Sequence, residues 1–300
     1  MKIFITGASG YIGGSVAAHL VAAGHQVSGL ARTAQTATAL EKTGIAPVRG
    51  TLDDATVLAD AARAADAVID AANAAHRGAA EAILAALAGS GKACIHTSGS
   101  SIVGTRAGGE FRPEIFDEDT QFTPSPTRAD RVALDNDIRA TNGVRSVVIA
   151  PSLIYGRGHG LNPDSIQMPW LIALARKNGI ATHIGSGENR WSNVHIDDLV
   201  TLYALALEKA PSGIFYFAEN GENSMREVCE AINRMLGFNG RTRAMTVDEA
   251  AAEWGEGPAN DTMGSNSRVR AKRARAELGW QPQAISLIEE IERGCYAQEA

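Results

Sequence analysis

The chain has 300 residues, a formal net charge of −6 and a pI near 5.7, a size that fits one α/β domain enlarged by insertions or a large domain with a smaller lobe. No region is basic enough to track a phosphate backbone, which argues against a general nucleic-acid binder, and no stretch approaches the roughly 20 apolar residues of a membrane span. Cys94, Cys229 and Cys295 are too scattered for a ligand pair or redox motif, and strand begins almost at once, leaving no room for a cleaved leader; a soluble, cytoplasmic protein without structural metal is expected.

Ile3, Phe4 and Ile5 form a short apolar run. Thr6-Gly7-Ala8-Ser9-Gly10-Tyr11-Ile12-Gly13-Gly14 follows, an alanine-rich helical pattern continues through Ala23, and a second strand spans Gln26 to Leu30. Gly7, Gly10 and Gly13 are spaced G-x-x-G-x-x-G, not G-x-G-x-x-G, but the demands are related. Gly7 allows a tight exit from the strand, Gly10 a close backbone approach by a diphosphate, and Gly13 close packing of helix on sheet. The diphosphate would lie on unpaired N–H groups at the helix start. A glycine-rich turn with no ligand is the alternative, and the strand–turn–helix–strand context weighs against it.

The end of the second strand selects the dinucleotide. An acid there suits a ribose 2′-hydroxyl, whereas a 2′-phosphate calls for a cation. Ser28-Gly29-Leu30-Ala31-Arg32-Thr33 contains no acid. Arg32 can fork onto a phosphate and Thr33 can add a hydroxyl, so NADP(H) is favoured over NAD(H); a solvated surface arginine is the alternative.

Gln35 to Lys42 is predicted helical, Gly44 ends it, and Ile45 to Val48 is the third strand. Gly50-Thr51-Leu52-Asp53-Asp54 turns into a helix capped by Asp53 or Asp54. Ala67 to Ala71 is the fourth strand, and the loop from Ala72 to Ala75 should flank the cofactor. His76 is a candidate base there, with a capping role as the alternative. Gly78 to Leu87 is helix and Ala93 to Thr97 the fifth strand. Ser98 to Gly104 then sets hydroxyls at the carboxyl edge of a parallel strand, where such folds hold ligands. Thr105 to Pro126 has no periodicity and carries Asp117-Glu118-Asp119; loops of this length are usually lids or binding elements.

Ser125 to Ala140 is predicted helical and Arg145 to Ala150 is the sixth strand. Pro151 to Asp164 is again aperiodic. Gln167 to Lys177 is helix, Ala181 to Ile184 strand, Asp197 to Lys209 helix with Asp197 and Asp198 as caps, and Gly213 to Ala218 strand. Ser224 caps a helix to Leu236, with Glu227 completing a capping box. Arg241 to Ala300 is charge-rich and helical, and its arginine run, Arg268 to Arg275, suggests a solvated helix face. Strands and helices alternate cleanly only to Ala150. The expected architecture is α/β: a Rossmann-type doubly wound parallel sheet in a dinucleotide-binding core, 1-160, then a mixed region, 161-300. Within it, segment 185-218 partly returns to the core and the remainder forms a smaller substrate lobe.

Four separated stretches, in the right order and nearly end to end, resemble the extended short-chain dehydrogenase/reductase superfamily, of the NAD-dependent epimerase/dehydratase type. They are the glycine motif from Thr6 to Gly13, Pro151-Ser152-Leu153-Ile154-Tyr155-Gly156, Arg190 to Leu199, and Leu278-Gly279-Trp280-Gln281-Pro282. Similar members carry a serine or threonine after the fifth strand, then a tyrosine with a lysine four residues on. The phenolate moves a proton, the lysine lowers its pKa and holds the ribose, and the hydroxyl orients the carbonyl. None of Tyr11, Tyr155, Tyr203, Tyr216 and Tyr296 lies in that helix. The resemblance places Thr127 at the tyrosine position, Arg131 at the lysine and Asp135 at an acidic position one turn later. Gly99, between Ser98 and Ser100, takes the serine position. Arg131 can hydrogen-bond the nicotinamide ribose but cannot exchange a proton.

The resemblance also implies cofactor contacts from Ser9, Tyr11, Ile12, Leu52, Ala71, Ala72, Asn73, Ser98, Pro151 and Leu153, and a homodimer. Candidates for catalysis are Ser100, as a hydrogen-bond donor to a carbonyl, Arg131 and Tyr155. Candidates for the substrate pocket are Ser100, Tyr155, His159, Arg190, Trp191 and Asn193. Arg190 resembles an arginine that holds substrate phosphate, and Trp191 and Asn193 alternate along an extended segment, so that one face can line a pocket. Three functions compete. The first is an NADP(H)-dependent oxidoreductase acting on a small carbonyl or alcohol with a non-standard catalytic set. The others are a catalytically silent NADP(H)-binding sensor or interaction protein, and a nucleotide-sugar epimerase/dehydratase, which leans on the missing tyrosine.

Overall fold

A computed structural model describes residues 1–298. Its elements in chain order are β1 Lys2–Thr6, α1 Tyr11–Ala22, β2 Gln26–Ala31, α2 Ala34–Lys42, β3 Ala46–Arg49, α3 Ala55–Ala64, β4 Ala67–Asp70, α4 Arg77–Leu87, β5 Ala93–Thr97, α5 Ala129–Arg139, β6 Arg145–Pro151, β7 Leu153–Tyr155, α6 Gln167–Asn178, β8 Arg190–His195, α7 Ile196–Lys209, β9 Ile214–Ala218, β10 Glu222–Ser224, α8 Met225–Met235, α9 Val247–Trp254, α10 Lys272–Leu278 and α11 Leu287–Arg293, with several shorter pieces between them.

Seven strands form one parallel sheet in the order β9-β6-β5-β4-β1-β2-β3. The chain winds outward from β1 in one direction through β2 and β3, then returns to build β4, β5 and β6 on the other side. Right-handed crossovers therefore put α1 and α2 on one face and α3, α4 and α5 on the opposite face. α1 packs on α7, and α3 on α4. Ile3, Phe4, Ile5, Val68, Ile69 and the run from Val147 to Ala150 are fully buried, as continuous apolar strands covered on both faces must be. The reversal of winding opens a crevice outside the carboxyl ends of β1 and β4.

A second hydrophobic cluster joins Leu153 and Tyr155 to α6, α8 and α11, while Val194 to Ala218 and Val269 to Trp280 pack with the first. The aperiodic stretch after Pro151 contains β7, which pairs parallel with β8; β8 in turn pairs antiparallel with β10. The long loop after β5 is not loose either. Thr105–Arg106 pairs with Ser265–Asn266, and Phe116–Asp117 with Val269–Arg270. Glu118 accepts from the amides of Phe217 and Arg273, which covers the open edge of β9.

Some boundaries differ from expectation. α5 starts at Ala129, because the prolines at 124 and 126 hold their preceding residues extended. α7 is capped by His195, whose Nδ1 accepts from Asp197 N at 3.1 Å, so Asp197 and Asp198 sit in the first turn. Asp198 instead accepts from the amides of Gln283 and Ala284. The Ser224–Glu227 capping box is present. The arginine run is a clamp, not a solvated face: Arg268 reaches Glu222 at 3.0 Å, Arg275 reaches Glu219 at 3.1 Å, and Arg273 reaches Asp119 at 2.5 Å. Among the described residues no helix is long and apolar enough to cross a membrane.

Candidate active site

The glycine turn sits at the carboxyl end of β1. Gly7 has φ +74°, and a Cβ there would come within 2.7 Å of the Ala71 carbonyl oxygen; a Cβ on Gly13 would collide with the Gly7 carbonyl. Only glycine permits both the left-handed turn and the close seat of α1. Gly10 is the N-cap of α1 and offers no side-chain cap, so the first amides of the helix remain for a ligand. Thr6 Oγ1 donates to Asp70 Oδ1 at 2.6 Å and accepts from the amides of Ala71 and Ala72. That single hydroxyl ties the turn to the loop after β4.

The turn and that loop enclose a cleft of about 390 Å³, bordered by Gly7, Ser9, Gly10, Leu52, Ala71, Ala72 and Asn73 and closed at one end by Leu30, Arg32, Thr33 and Thr36. Thr33 caps α2, its hydroxyl accepting from Thr36 N at 3.1 Å, and the two hydroxyls lie 2.9 Å apart. Arg32 is exposed and has no hydrogen-bond or ion-pair partner among the described residues. Leu30 and Thr36 are additions to the residues that the sequence points to. Thr36 was readable, because a residue three past an N-cap shares its side of the first turn.

Tyr11 and Ile12 do not border this cleft. The Tyr11 hydroxyl donates to Gly156 O at 2.7 Å, fastening α1 to the segment after β7. His76 caps α4, accepting from Ala79 N on Nδ1, with Nε2 3.1 Å from Asp53; the capping reading holds there.

Where β5 ends, the strand's alternation sends Thr97 toward α7 and Ser98 toward α5. Thr97 meets the Tyr203 hydroxyl at 2.6 Å, and Ser98 donates to Asp135 Oδ2 at 2.6 Å. Gly99 faces the space between helix and sheet: a Cβ on it would stand 3.6 Å from Arg131 Nη1 and 3.9 Å from Pro151 O. Arg131 donates to Ser101 Oγ at 3.2 Å. Burial pulls its guanidinium pKa down, and neighbouring Arg128 adds to that. Beneath them runs a buried polar chain. His96 Nδ1 is 2.8 Å from Asp70 Oδ2, and its Nε2, without a hydrogen-bond partner, lies 3.8 Å from the equally unpartnered Asp135 Oδ1. Burial works against the imidazolium, but the Asp70 hydrogen bond and the charges of Asp70 and Asp135 outweigh it and raise the His96 pKa. Burial likewise pushes the Asp135 carboxyl up.

The remaining expected residues are not brought to this edge. Tyr155 is fully buried and its hydroxyl donates to Ile285 O at 2.8 Å, because β7 pairs with β8 and turns the ring into the second core. Leu153 is buried in the same cluster. Ser100 is 1% exposed, with Ser267 Oγ 2.8 Å from both its oxygens. His159 lies on the outer side of α1, its amide bonded to Ser15 Oγ and its ring to Asp197, because Gly160 closes on Gly14 and wraps the segment around the helix. Arg190 points to Glu227 at 3.5 Å and Glu222 at 4.0 Å. Trp191 Nε1 donates to Ser265 O, and Asn193 Nδ2 to Asn223 Oδ1; both side chains are packed, not pocket-lining.

A doubly wound sheet with an uncapped glycine turn at its switch point is the architecture of dinucleotide-binding domains. Residues 3–216 match the model of the NAD-dependent epimerase/dehydratase family, and the chain belongs to that family. It is 30% identical to an oxidase from an Acremonium species, over 97% of this chain and 95% of that protein. It is 29% identical to the 2-alkyl-3-oxoalkanoate reductase of Stenotrophomonas maltophilia, over 83% of this chain and 78% of that one. In fold it is similar to the dTDP-glucose 4,6-dehydratase of Bacillus anthracis solved with NAD: TM-score 0.79, 17% identity, covering 100% of this chain and 96% of that one.

Proposed function

We propose that the chain is an NADP(H)-dependent reductase of a small ketone, and a dehydrogenase of the corresponding alcohol. The observation that carries this is the cleft at the switch point, with an unpaired Arg32 and two hydroxyls, and no acid, at the end of β2. The ketone follows from the Stenotrophomonas maltophilia relative, whose name gives it a 3-oxoalkanoate to reduce.

The nicotinamide, when bound, supplies or accepts the hydride. The chain's part is to seat the dinucleotide, to orient the carbonyl and to stabilise charge on its oxygen. Arg131, half-buried beside Ser101 and the open space at Gly99, provides positive potential and hydrogen-bond donors at that edge. We assign no phenol to the chemistry, because each already has a protein partner. Tyr11 is bonded to Gly156, Tyr155 to Ile285, Tyr203 to Thr97, Tyr216 to Glu277 and Tyr296 to Ser165. The proton that completes reduction is therefore assigned to a hydroxyl or water at the Arg131 edge.

That every phenol has a protein partner also supports a second reading, a protein that binds NADP(H) without turning it over. Fluorescence titration with NADPH and NADH, followed by absorbance loss against a carbonyl panel, separates the two. Tight NADPH binding with turnover is expected; tight binding with no turnover on any carbonyl selects the silent binder, and failure to bind either nucleotide overturns both.

A further inference from the structure

A second cavity, of about 280 Å³, lies outside the dinucleotide cleft and shares no bordering residue with it. Its walls are α5, the outermost strand β9 and the segment 117–122 of the long loop after β5. β9 is four strand spacings from β1, about 19 Å across the sheet from the glycine turn. The loop segment forms a fixed roof. Asp117 is held by Lys272 and by the Thr120 hydroxyl, and Glu118 accepts from the amides of Phe217 and Arg273. Phe122 packs edge-on against Phe116, with ring centroids 6.0 Å apart.

Two features of the lining specify an occupant. The first is apolar: Phe215 and Phe217, themselves edge to face at 4.9 Å, border the space together with Phe122, Ile102 and Val132. Such walls give a flat apolar ligand both buried area and ring contacts. The second is Arg139. Its Nε donates to Gly213 O at 3.1 Å and its guanidinium lies 5.9 Å from the Phe215 ring centre, but Nη1 and Nη2 have no acceptor among the described residues. Burial and neighbouring Arg273 both pull its pKa down, as happens to a cation short of counter-charge. The acids that border the cavity do not supply that charge. Asp117 and Glu118 are engaged in the roof, and Asp135 accepts from Ser98 and turns its other oxygen toward His96.

An anion entering beside Arg139 relieves the cost of the half-buried charge, and the planar fork of a carboxylate fits the two Nη donors. A phosphate suits less well, because its second charge would face Asp117 and Glu118 across a small space. The volume is at the lower edge of the roughly 300–1,000 Å³ of small-molecule pockets, which is room for one ring with one charged group. We propose that this cavity is a second ligand site that takes a small aromatic carboxylate, its ring among Phe122, Phe215 and Phe217 and its charge on Arg139. The site is separate from the dinucleotide cleft, so the inference does not rest on the reductase reading.

Calorimetric titration of the full chain with benzoate, and with benzamide as the neutral molecule of the same shape, provides the test. Benzoate should bind at least tenfold tighter than benzamide, and its dissociation constant should stay within about twofold when NADPH is present in excess. Arg139→Gln should weaken benzoate tenfold or more and benzamide by less than about threefold, and Arg139→Lys should recover part of the loss. Asn136 is an exposed residue of α5 that borders the cavity, so Asn136→Phe fills the space. That variant should lose binding of both compounds while its melting temperature and NADPH affinity stay at wild-type values, an arm that holds even if Arg139→Gln unfolds. Equal affinity for acid and amide, no binding of benzoate at millimolar concentration, displacement of benzoate by NADPH, or unchanged benzoate binding in Asn136→Phe would each overturn the inference and leave the reductase reading standing.

Discussion

Replacing Arg32 by alanine should separate the two dinucleotides. Arg32 is exposed and makes no hydrogen bond or ion pair among the described residues, so its removal should change stability by less than about 0.5 kcal/mol. In the complex its fork would serve the 2′-phosphate, and a hydrogen bond to a charged group is worth roughly 1.5–3 kcal/mol. At 1.4 kcal/mol per tenfold, the dissociation constant for NADPH should rise about 10- to 150-fold. The lower end is the better expectation at physiological salt, where an exposed charge is screened over about 8 Å. Thr33 and Thr36 keep their hydroxyls and hold some of the affinity. NADH has no 2′-phosphate, so its constant should stay where it was. Titrating each variant by fluorescence of the bound nucleotide reads both numbers directly, and the preference of the wild type should shrink as salt is raised. Equal weakening of NADPH and NADH would show that Arg32 supports the cleft rather than the phosphate, and wild-type constants that are alike would remove the NADP(H) preference altogether.

Three further outcomes follow from single contacts. Gly13→Ala drives a methyl into the Gly7 carbonyl; it should weaken NADPH and NADH alike by more than tenfold and destabilise by about 1–3 kcal/mol, against which retained binding of either nucleotide would count. Tyr155→Phe loses the bond to Ile285 O, so thermal melts should show about 1 kcal/mol of lost stability with kcat unchanged, and a hundredfold fall in kcat would return the phenol to the chemistry. His96, raised in pKa because Asp70 and Asp135 outweigh its burial, stabilises the fold fully below about pH 6.5 and loses that contribution as pH climbs through the folded value. Urea melts should therefore show unfolding free energy falling above pH 6.5, by at most about 1.4 kcal/mol per pH unit, and His96→Asn should flatten the decline; an unchanged slope in the variant would place the titration elsewhere.

The legibility of this chain divides by the range of its contacts. The cofactor half is built from neighbours in sequence: Gly7, Gly10 and Gly13 each answer to a backbone demand within one turn, and Ile3 to Ile5 and Val147 to Ala150 announce buried strands by composition alone. Gly7 and Gly10 at the cleft can be named because a strand–turn–helix unit leaves them nowhere else to go, whereas Leu52, Ala71, Ala72 and Asn73 come from the family resemblance. Beyond Ala150 the determining pairings are remote. Nothing near Thr105 states that it will lie against Asn266, and nothing near Leu153 states that β7 will join β8. Tyr155 was nominated for its phenol, a property of residue type, whereas its position is set by strand pairing, which turns it inward. Arg131 shows the reverse case. Its place is given by the family resemblance, and what sequence cannot show is that it has no acidic partner within reach, because Asp135 turns its oxygens to Ser98 and His96.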